Sequence, residues 1–257
     1  MGKFVPCFPY PFIFYSGNEN MLIASDTHFG IEEELFRNGF TIKDTSKKFL
    51  NDIEKCRKTK KVNTILLLGD VKNEIGISPN SEMVLGAMMK RLNELFSRVI
   101  IVRGNHDGNI EKIVPSDTEI YESSGCVIEN TAFFHGHAWP SEDLVKKKIM
   151  VSAHVHPGIG ILRWNGKVTV KKCFAVGEPD ITEWHKKYDD VKIKKIMLIP
   201  AWNDYCGTSL LNDQNRSKKG IILRDSLMDL DKTEIYLMDS TYMGNLSNVT
   251  ISTHSSL

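Results

Sequence analysis

The sequence predicts an α/β protein in a four-layer α/β/β/α arrangement, two packed mixed β-sheets flanked by helices. Three observations lead there. Between residues 21 and 102, buried apolar strands alternate with amphipathic helices, the order in which parallel sheets are built. Beyond Asp107 the strands shorten, and the last third is mainly strand, enough for a second sheet. The strands repeatedly end on Asp, Asn or His, the place where open α/β sheets keep their ligands.

Taken in order, the aromatic and proline-rich opening to Tyr15 reads as an edge strand or a flap. Met21-Leu22-Ile23-Ala24-Ser25 is a buried strand that runs into Asp26-Thr27-His28. Ile31-Glu32-Glu33-Glu34 suits a helix start, where acidic side chains favour the amino-terminal end of the dipole. Thr41 to Cys56 has the amphipathic spacing of a helix, with Phe49, Leu50 and Ile53 inward. Asn63 to Leu68 is the next strand and ends at Gly69-Asp70. Asn80 or Ser81 would cap a helix to about Phe96, with Met83, Leu85, Met88, Met89, Leu92 and Leu95 as its inner face. Val99 to Val102 is a strand that delivers Arg103-Gly104-Asn105-His106-Asp107. Cys126–Ile128 and Thr131–Phe134 flank Glu129-Asn130 as a hairpin and lead to His135-Gly136-His137. Pro140 to Asp143 starts a helix, and Lys148 to Ser152 is a strand that reaches Ala153-His154-Val155-His156. Further strands are expected at Val168–Val170, Ile196–Ile199, Ile221–Leu223 and Glu234–Leu237. With no repeat, linker or low-complexity tract, the chain is expected to form one domain over 1–257, its motifs within about 21–160 and strands 161–245 completing the second sheet.

Composition sets bounds on function. Hydrophobic residues at 41% and charged residues at 25% are ordinary for a protein with a sizeable core, and 33 basic against 32 acidic residues leave a formal charge of +1. That balance gives no global support for binding nucleic acid or membrane, and lysine clusters such as Lys146-Lys147-Lys148 read as solvated element ends. Five separated cysteines without a C-x-x-C point to reduced thiols rather than disulfides or a zinc ribbon. Two prolines in the first apolar stretch spoil a signal peptide, and no apolar run approaches the ~20 residues of a membrane span. A cytoplasmic protein is expected, in which the sequons at Asn215, Asn245 and Asn248 carry no weight.

The strand-end residues Asp26, His28, Asp70, Asn105, His106, His135, His154 and His156 include five of the eight histidines. One buried histidine satisfied by a backbone partner would be unremarked; a whole set placed directly after strands points to metal ligation or catalysis. Asp-x-His and His-x-His suit an extended segment, where residues two apart point the same way. The chain has no phosphate loop of the G-x-x-x-x-G-K-[ST] type, no G-x-S-x-G elbow and no H-E-x-x-H helix.

The ordered series Asp26-x-His28, Gly69-Asp70, Gly104-Asn105-His106-Asp107, His135-Gly136-His137 and His154-x-His156 resembles the motifs of the calcineurin-like metallophosphoesterases. Ile199-Pro200-Ala201-Trp202-Asn203 with Gly207-Thr208, and Ile235-Tyr236 through Gly244, are similar to archaeal members associated with DNA ligase and helicase genes. Ala153 departs from the family's more usual glycine. The resemblance implies two divalent metals close together, manganese first, with iron, zinc or nickel also compatible. Asp26, His28 and His156 would hold one, Asn105, His135 and His154 the other, and Asp70 would bridge them. His106 would protonate the leaving group or stabilise the transition state, with Asp107 orienting its ring. Arg103 and His137 are candidates for substrate contact, and either His135 or His137 could be the ligand of their motif. The implied activity is hydrolysis of phosphate esters by a metal-bridging hydroxide, with diesters, including nucleic acid or nucleotides, ahead of monoesters or nucleotide pyrophosphates. A non-catalytic scaffold of the same fold is the alternative outside enzymes, and monomer and homodimer are both open. Trp139, Trp202 and Tyr205 could stack on a base or belong to the core, and Asn203 and Asp204 could face the metals.

Overall fold

A computed structural model of the protein describes residues 2–74, 79–213, 218–249 and 251. The first half of the chain builds a six-stranded sheet. Strand β1 (Lys3–Pro6), β2 (Ile13–Ser16) and β3 (Asn20–Ala24) are antiparallel neighbours, so the opening segment is an edge hairpin. Helices α1 (Ile31–Arg37) and α2 (Thr45–Thr59) precede β4 (Thr64–Leu68). Helix α3 (Pro79–Leu95) and β5 (Arg98–Val102) follow, and β6 (Glu119–Tyr121) closes the sheet. From β3 to β6 the neighbours are parallel, in the order β1-β2-β3-β4-β5-β6. The Asp44 side chain caps α2 by accepting from the amides of Ser46 and Lys47. The caps expected for α3 at Asn80 and Ser81, and the sequon at Asn215, lie outside the described residues and side chains.

The second half builds the other sheet. Its strands are β7 (Cys126–Ile128), β8 (Thr131–Phe134), β9 (Ile149–Ser152), β10 (Pro157–Leu162), β11 (Val168–Gly177), β12 (Lys195–Leu198), β13 (Ser209–Leu210), β14 (Glu234–Leu237) and β15 (Tyr242–Asn245). Short helices α4 (Glu142–Val145), α5 (Ile181–His185) and α6 (Gly220–Arg224) interrupt them. The order is β13-β10-β11-β12-β9-β8-β7, with β14 on β11 and β15 on β14; β8, β9 and β12 run parallel. The strand expected at Ile221–Leu223 is instead α6. Three apolar residues fit either period, and Gly220 with its positive φ of 70° turns the chain there into a helix whose Asp225 amide returns to Ile221.

Three hydrophobic layers separate four structural ones. On β3, β4 and β5 the side chains alternate with the strand period. Leu22, Ala24, Ile65, Leu67, Val99 and Ile101 face outward under Phe49 and Ile53 of α2 and Met88, Met89 and Leu92 of α3. Met83, expected on that inner face, is exposed. Met21, Ile23, Leu66, Leu68, Ile100 and Val102 face inward, against Phe133, Val151, Ala153 and Phe174 of the second sheet. The far side of that sheet is covered by Leu144, Trp184, Ile221 and Ile222 from the short helices. Each fully buried aliphatic side chain in these layers contributes about 1.5–3 kcal/mol, so the face-to-face docking of the sheets is well fixed. That docking brings the carboxyl ends of β3, β4 and β5 beside those of β8 and β9. Among the described residues no helix is long and apolar enough to cross a membrane.

Candidate metal centre

Beyond its last ladder bond, β3 continues as a loop alongside the loop leaving β4. The amides of Asp26, His28 and Phe29 donate to the carbonyls of Gly69, Asp70 and Val71 at 3.0, 2.9 and 2.9 Å. This side-by-side course sets Asp26, His28 and Asp70 facing the second sheet. Among the described residues nine non-glycine positions have positive φ, and five of them are Asp26, His28, Asp70, His154 and His156. Left-handed backbone costs such residues of order 1 kcal/mol or more, and its concentration here marks a site where geometry overrides local preference.

Asp70 sits at the centre. Its Oδ2 lies 3.3 Å from His135 Nε2, 3.7 Å from His28 Nε2 and 4.0 Å from His106 Nε2, while Oδ1 accepts from the His106 amide at 3.0 Å. Asp26 Oδ1 lies 3.1 Å from His156 Nε2 and 3.8 Å from His135 Nε2. His154 Nδ1 faces His135 Nε2 at 3.2 Å. Two glycines let these groups meet. A Cβ on Gly104 would fall 2.2 Å from the backbone nitrogen of Asp70, and one on Gly69, whose φ is +80°, would fall 2.2 Å from the His135 ring.

Three rings are held from behind in the same way. Nδ1 of His135 meets the Leu68 carbonyl at 2.9 Å, Nδ1 of His156 meets the Gly207 carbonyl at 3.2 Å, and Nδ1 of His106 meets the Asn73 carbonyl. With Nδ1–H donating backwards, each Nε2 is turned toward the carboxylates, as in histidines that ligate metals. His28 is buried and both of its ring nitrogens lack a hydrogen-bond partner, a cost that a bound cation would relieve. The donor set of two carboxylates and several imidazoles therefore fits divalent transition metals. Two groups of residues with ligand atoms close enough to share an ion come from this set, His28 with Asp70 and His106, and Asp70 with His135 and His154.

The electrostatics of the metal-free cluster follow from burial and the two carboxylates. Burial opposes a charge on His135, but Asp70 and Asp26 outweigh it and raise its pKa to about 9; Asp26 likewise raises His156 to about 10. Burial pushes Asp26 and Asp70 up, yet the facing imidazoles win and hold both well below the usual carboxylate range. Burial lowers His28 and His137 to about 4 and His154 to about 3. The cluster thus stores protons on His135 and His156 opposite its two anions.

Other sequence candidates are placed differently. Asn105 is exposed on the rim of the cleft, and His106 lines the cleft. Asp107 does not reach the His106 ring. It is fully buried and accepts from the amides of Val71, Lys72 and Gly104 at 2.8, 3.2 and 2.8 Å, so it ties the two loops together. Arg103 pairs with Glu111 at 2.7 Å and Glu122 at 3.5 Å, and it donates to the Asp107 carbonyl. His137 packs behind His135 and His154, with ring centroids 5.3 and 5.9 Å away. Trp202 is buried against Phe49, Trp139 packs on Trp184 and Tyr188, and Asp204 pairs with Lys172. Asn203 donates to the Thr27 carbonyl and so braces the first loop. Sequence reasoning missed Asn73, Cys206 and Lys219, all of which line the same cleft of about 280 Å³. Lys219 Nζ comes within 3.3 Å of His156 Nε2. Only Asn73 carried a cue, since it follows Asp70 in the loop; the other two arrive from distant loops.

Two sheets delivering carboxylates and imidazoles to one cleft define a metallophosphoesterase-like centre. The sequence signature of the calcineurin-like phosphoesterases matches residues 20–198, and the chain belongs to that family. Among solved structures, the chain is similar to the Pseudomonas putida nuclease MPE, with 17% identity, 93% of this chain and 97% of that one covered, and a TM-score of 0.57. At that identity the likeness concerns the fold. A single mutant of Vps29 from Entamoeba histolytica matches at 15% identity over 59% of this chain and 73% of that one, with a TM-score of 0.26 too low to bear on either fold or site. No curated protein sequence matches significantly.

Proposed function

We propose that the protein is a phosphodiesterase dependent on a pair of divalent metals, with nucleic acid or nucleotides as its substrate class. The observation that carries this is the convergence of His28, His106 and His135 on Asp70 within 4.0 Å, at the cleft of a calcineurin-like phosphoesterase. Asp26, His28 and His156 would hold one metal, Asn105, His135 and His154 the other, with Asp70 shared; manganese, iron, zinc and nickel all suit these donors. When bound, such a pair supplies Lewis acidity toward phosphoryl oxygens and lowers the pKa of attacking water.

The chain's own residues do the rest. His106 presents Nε2 to the cleft while Asn73 holds Nδ1, so its protonated form donates from Nε2 to the leaving oxygen. His135 acts as the ligand of its motif because its Nε2, not that of His137, faces both carboxylates. Asp107 and Gly104 fix the loop that carries Asn105 and His106. A polymeric diester is favoured by the surface beside the cleft. Half-exposed Tyr205 borders both the cleft and a neighbouring depression of about 690 Å³, in which Lys47 and Lys48 pair with Asp44 and Asp52 and Lys43 and Lys55 lie beside them. A backbone phosphate would meet Lys43 and Lys55 there while a base stacks on the tyrosine. The nuclease activity named for the Pseudomonas putida protein agrees with this reading.

The test compares hydrolysis of bis-p-nitrophenyl phosphate and p-nitrophenyl phosphate with added Mn²⁺. Faster diester cleavage, followed by cleavage of single-stranded DNA, is expected. Cleavage of the monoester alone would replace the diesterase with a phosphatase.

A further inference from the structure

The loop between β12 and β13 is fastened over the cluster of carboxylates and imidazoles. At its start Trp202 is anchored in the outer core and its amide donates to the Ser25 carbonyl at 2.8 Å. The Asn203 amide reaches the Asp26 carbonyl at 3.3 Å, and its side chain donates to the Thr27 carbonyl. At its end the Ser209 amide donates to the His156 carbonyl at 2.9 Å. The loop is therefore fastened at both ends to the segments that carry Asp26, His28 and His156. Cys206 lies between the fastenings and lines the cleft.

The Cys206 sulfur and one ring nitrogen each of His28 and His156 all lie within 4.8 Å of one another. His28 is only 6% exposed, and neither of its nitrogens has a hydrogen-bond partner. The thiol donates weakly to the Asn203 carbonyl at 3.3 Å and interacts with the His156 ring. The other four cysteines are buried, in the hydrophobic layers. We infer that Cys206 is a thiolate ligand of the metal held by Asp26, His28 and His156. On binding, a metal–sulfur bond forms, the thiol proton leaves to solvent, and no electrons change hands. A thiolate among imidazoles and a carboxylate selects softer ions, zinc, iron(II) or cobalt, over manganese at this position, while the other position keeps only nitrogen and oxygen donors.

This inference rests on the metal reading proposed above, and cobalt separates the two. The full chain is stripped with a chelator, reloaded with Co²⁺ and recorded in the visible and near-ultraviolet, alongside Cys206→Ser and Cys206→Ala. Visible d–d bands in all three, with a sulfur-to-cobalt charge-transfer band in the wild type only, is the expected result. In competition, Cys206→Ser should lose about tenfold of the wild-type preference for zinc over manganese. Visible bands without a charge-transfer band in the wild type would overturn the thiolate and leave the metal centre standing. A charge-transfer band that persists in both variants would also overturn it, by assigning the sulfur to another cysteine. No visible bands in any of the three would overturn the metal reading and the thiolate with it.

Discussion

The first sheet brings carboxylates to the centre and the second brings only imidazoles. Asp26 and Asp70 stand at the ends of β3 and β4, each set in a loop that runs beside the other, whereas β8 and β9 lead to His135, His137, His154 and His156. The first sheet also supplies His28 and His106, which group with Asp70, but the full cluster needs the histidines of the second. The anions of one are balanced by the histidines of the other only once Phe133, Val151 and Ala153 have packed against Leu66, Leu68, Ile100 and Val102. The difference assigns roles. The carboxylate side fixes the position of negative charge, and the facing imidazoles of His135 and His156 are raised in pKa by it.

The most severe way to break this balance is to remove its centre. Asp70→Ala leaves three imidazoles without their common anion and should lower diester hydrolysis at least about 10³-fold, read as kcat with Mn²⁺ at saturating substrate. Next comes the contact between the sheets themselves. Gly69→Ala drives a Cβ into the His135 ring from a left-handed backbone, and a ring displaced by an ångström can cost about 10²-fold in rate. The same change should destabilise the fold by about 2–3 kcal/mol, measurable by urea unfolding.

The sequence made the contributions of the two sheets unequally legible. Asp26, His28 and Asp70 could be read because each directly follows a continuous apolar strand, and so could His135, His154 and His156. The choice between His135 and His137 could not, since residues two apart in a strand-like segment share a direction until the glycine between them, with φ of 114°, turns the chain. Asp107 was misplaced for a related reason. Its neighbour His106 suggested a ring partner, yet the tight turn at Gly104 points the carboxylate into backbone amides. Cys206 and Lys219 were invisible because they reach the cleft through contacts between distant segments, the pairing of β13 with β10 and the docking of α6 on Gly136. The misread run Ile221–Leu223 likewise became a helix through its contact with Gly136, whose carbonyl takes the Ile221 amide.

The imidazole side can be sharpened by pH. In the metal-free protein His135 and His156 have raised pKa values of about 9 and about 10, so their stabilisation is complete below the unfolded value near 6.5 and is lost as pH climbs through 9 to 10. Thermal midpoints of chelator-treated protein should fall across that window. Mn²⁺ should reverse the trend between pH 6 and 8, because it takes the deprotonated ligands. If Mn²⁺ leaves the slope unchanged, these histidines are not ligands.

The smallest effects lie outside the two sheet ends. Lys43→Glu with Lys55→Glu should raise KM for single-stranded DNA several-fold and flatten its salt dependence, with bis-p-nitrophenyl phosphate hydrolysis unchanged. Arg103→Ala should change diester hydrolysis by less than about threefold, because its guanidinium is engaged by Glu111 and Glu122.

Metal content tests the central claim most directly. After loading with Mn²⁺ and desalting, elemental analysis of the wild type should give about two ions per chain, and Asp70→Ala should retain at most one, with activity lost in parallel. A wild type that holds no divalent metal yet hydrolyses diesters at full rate in excess chelator would contradict the account.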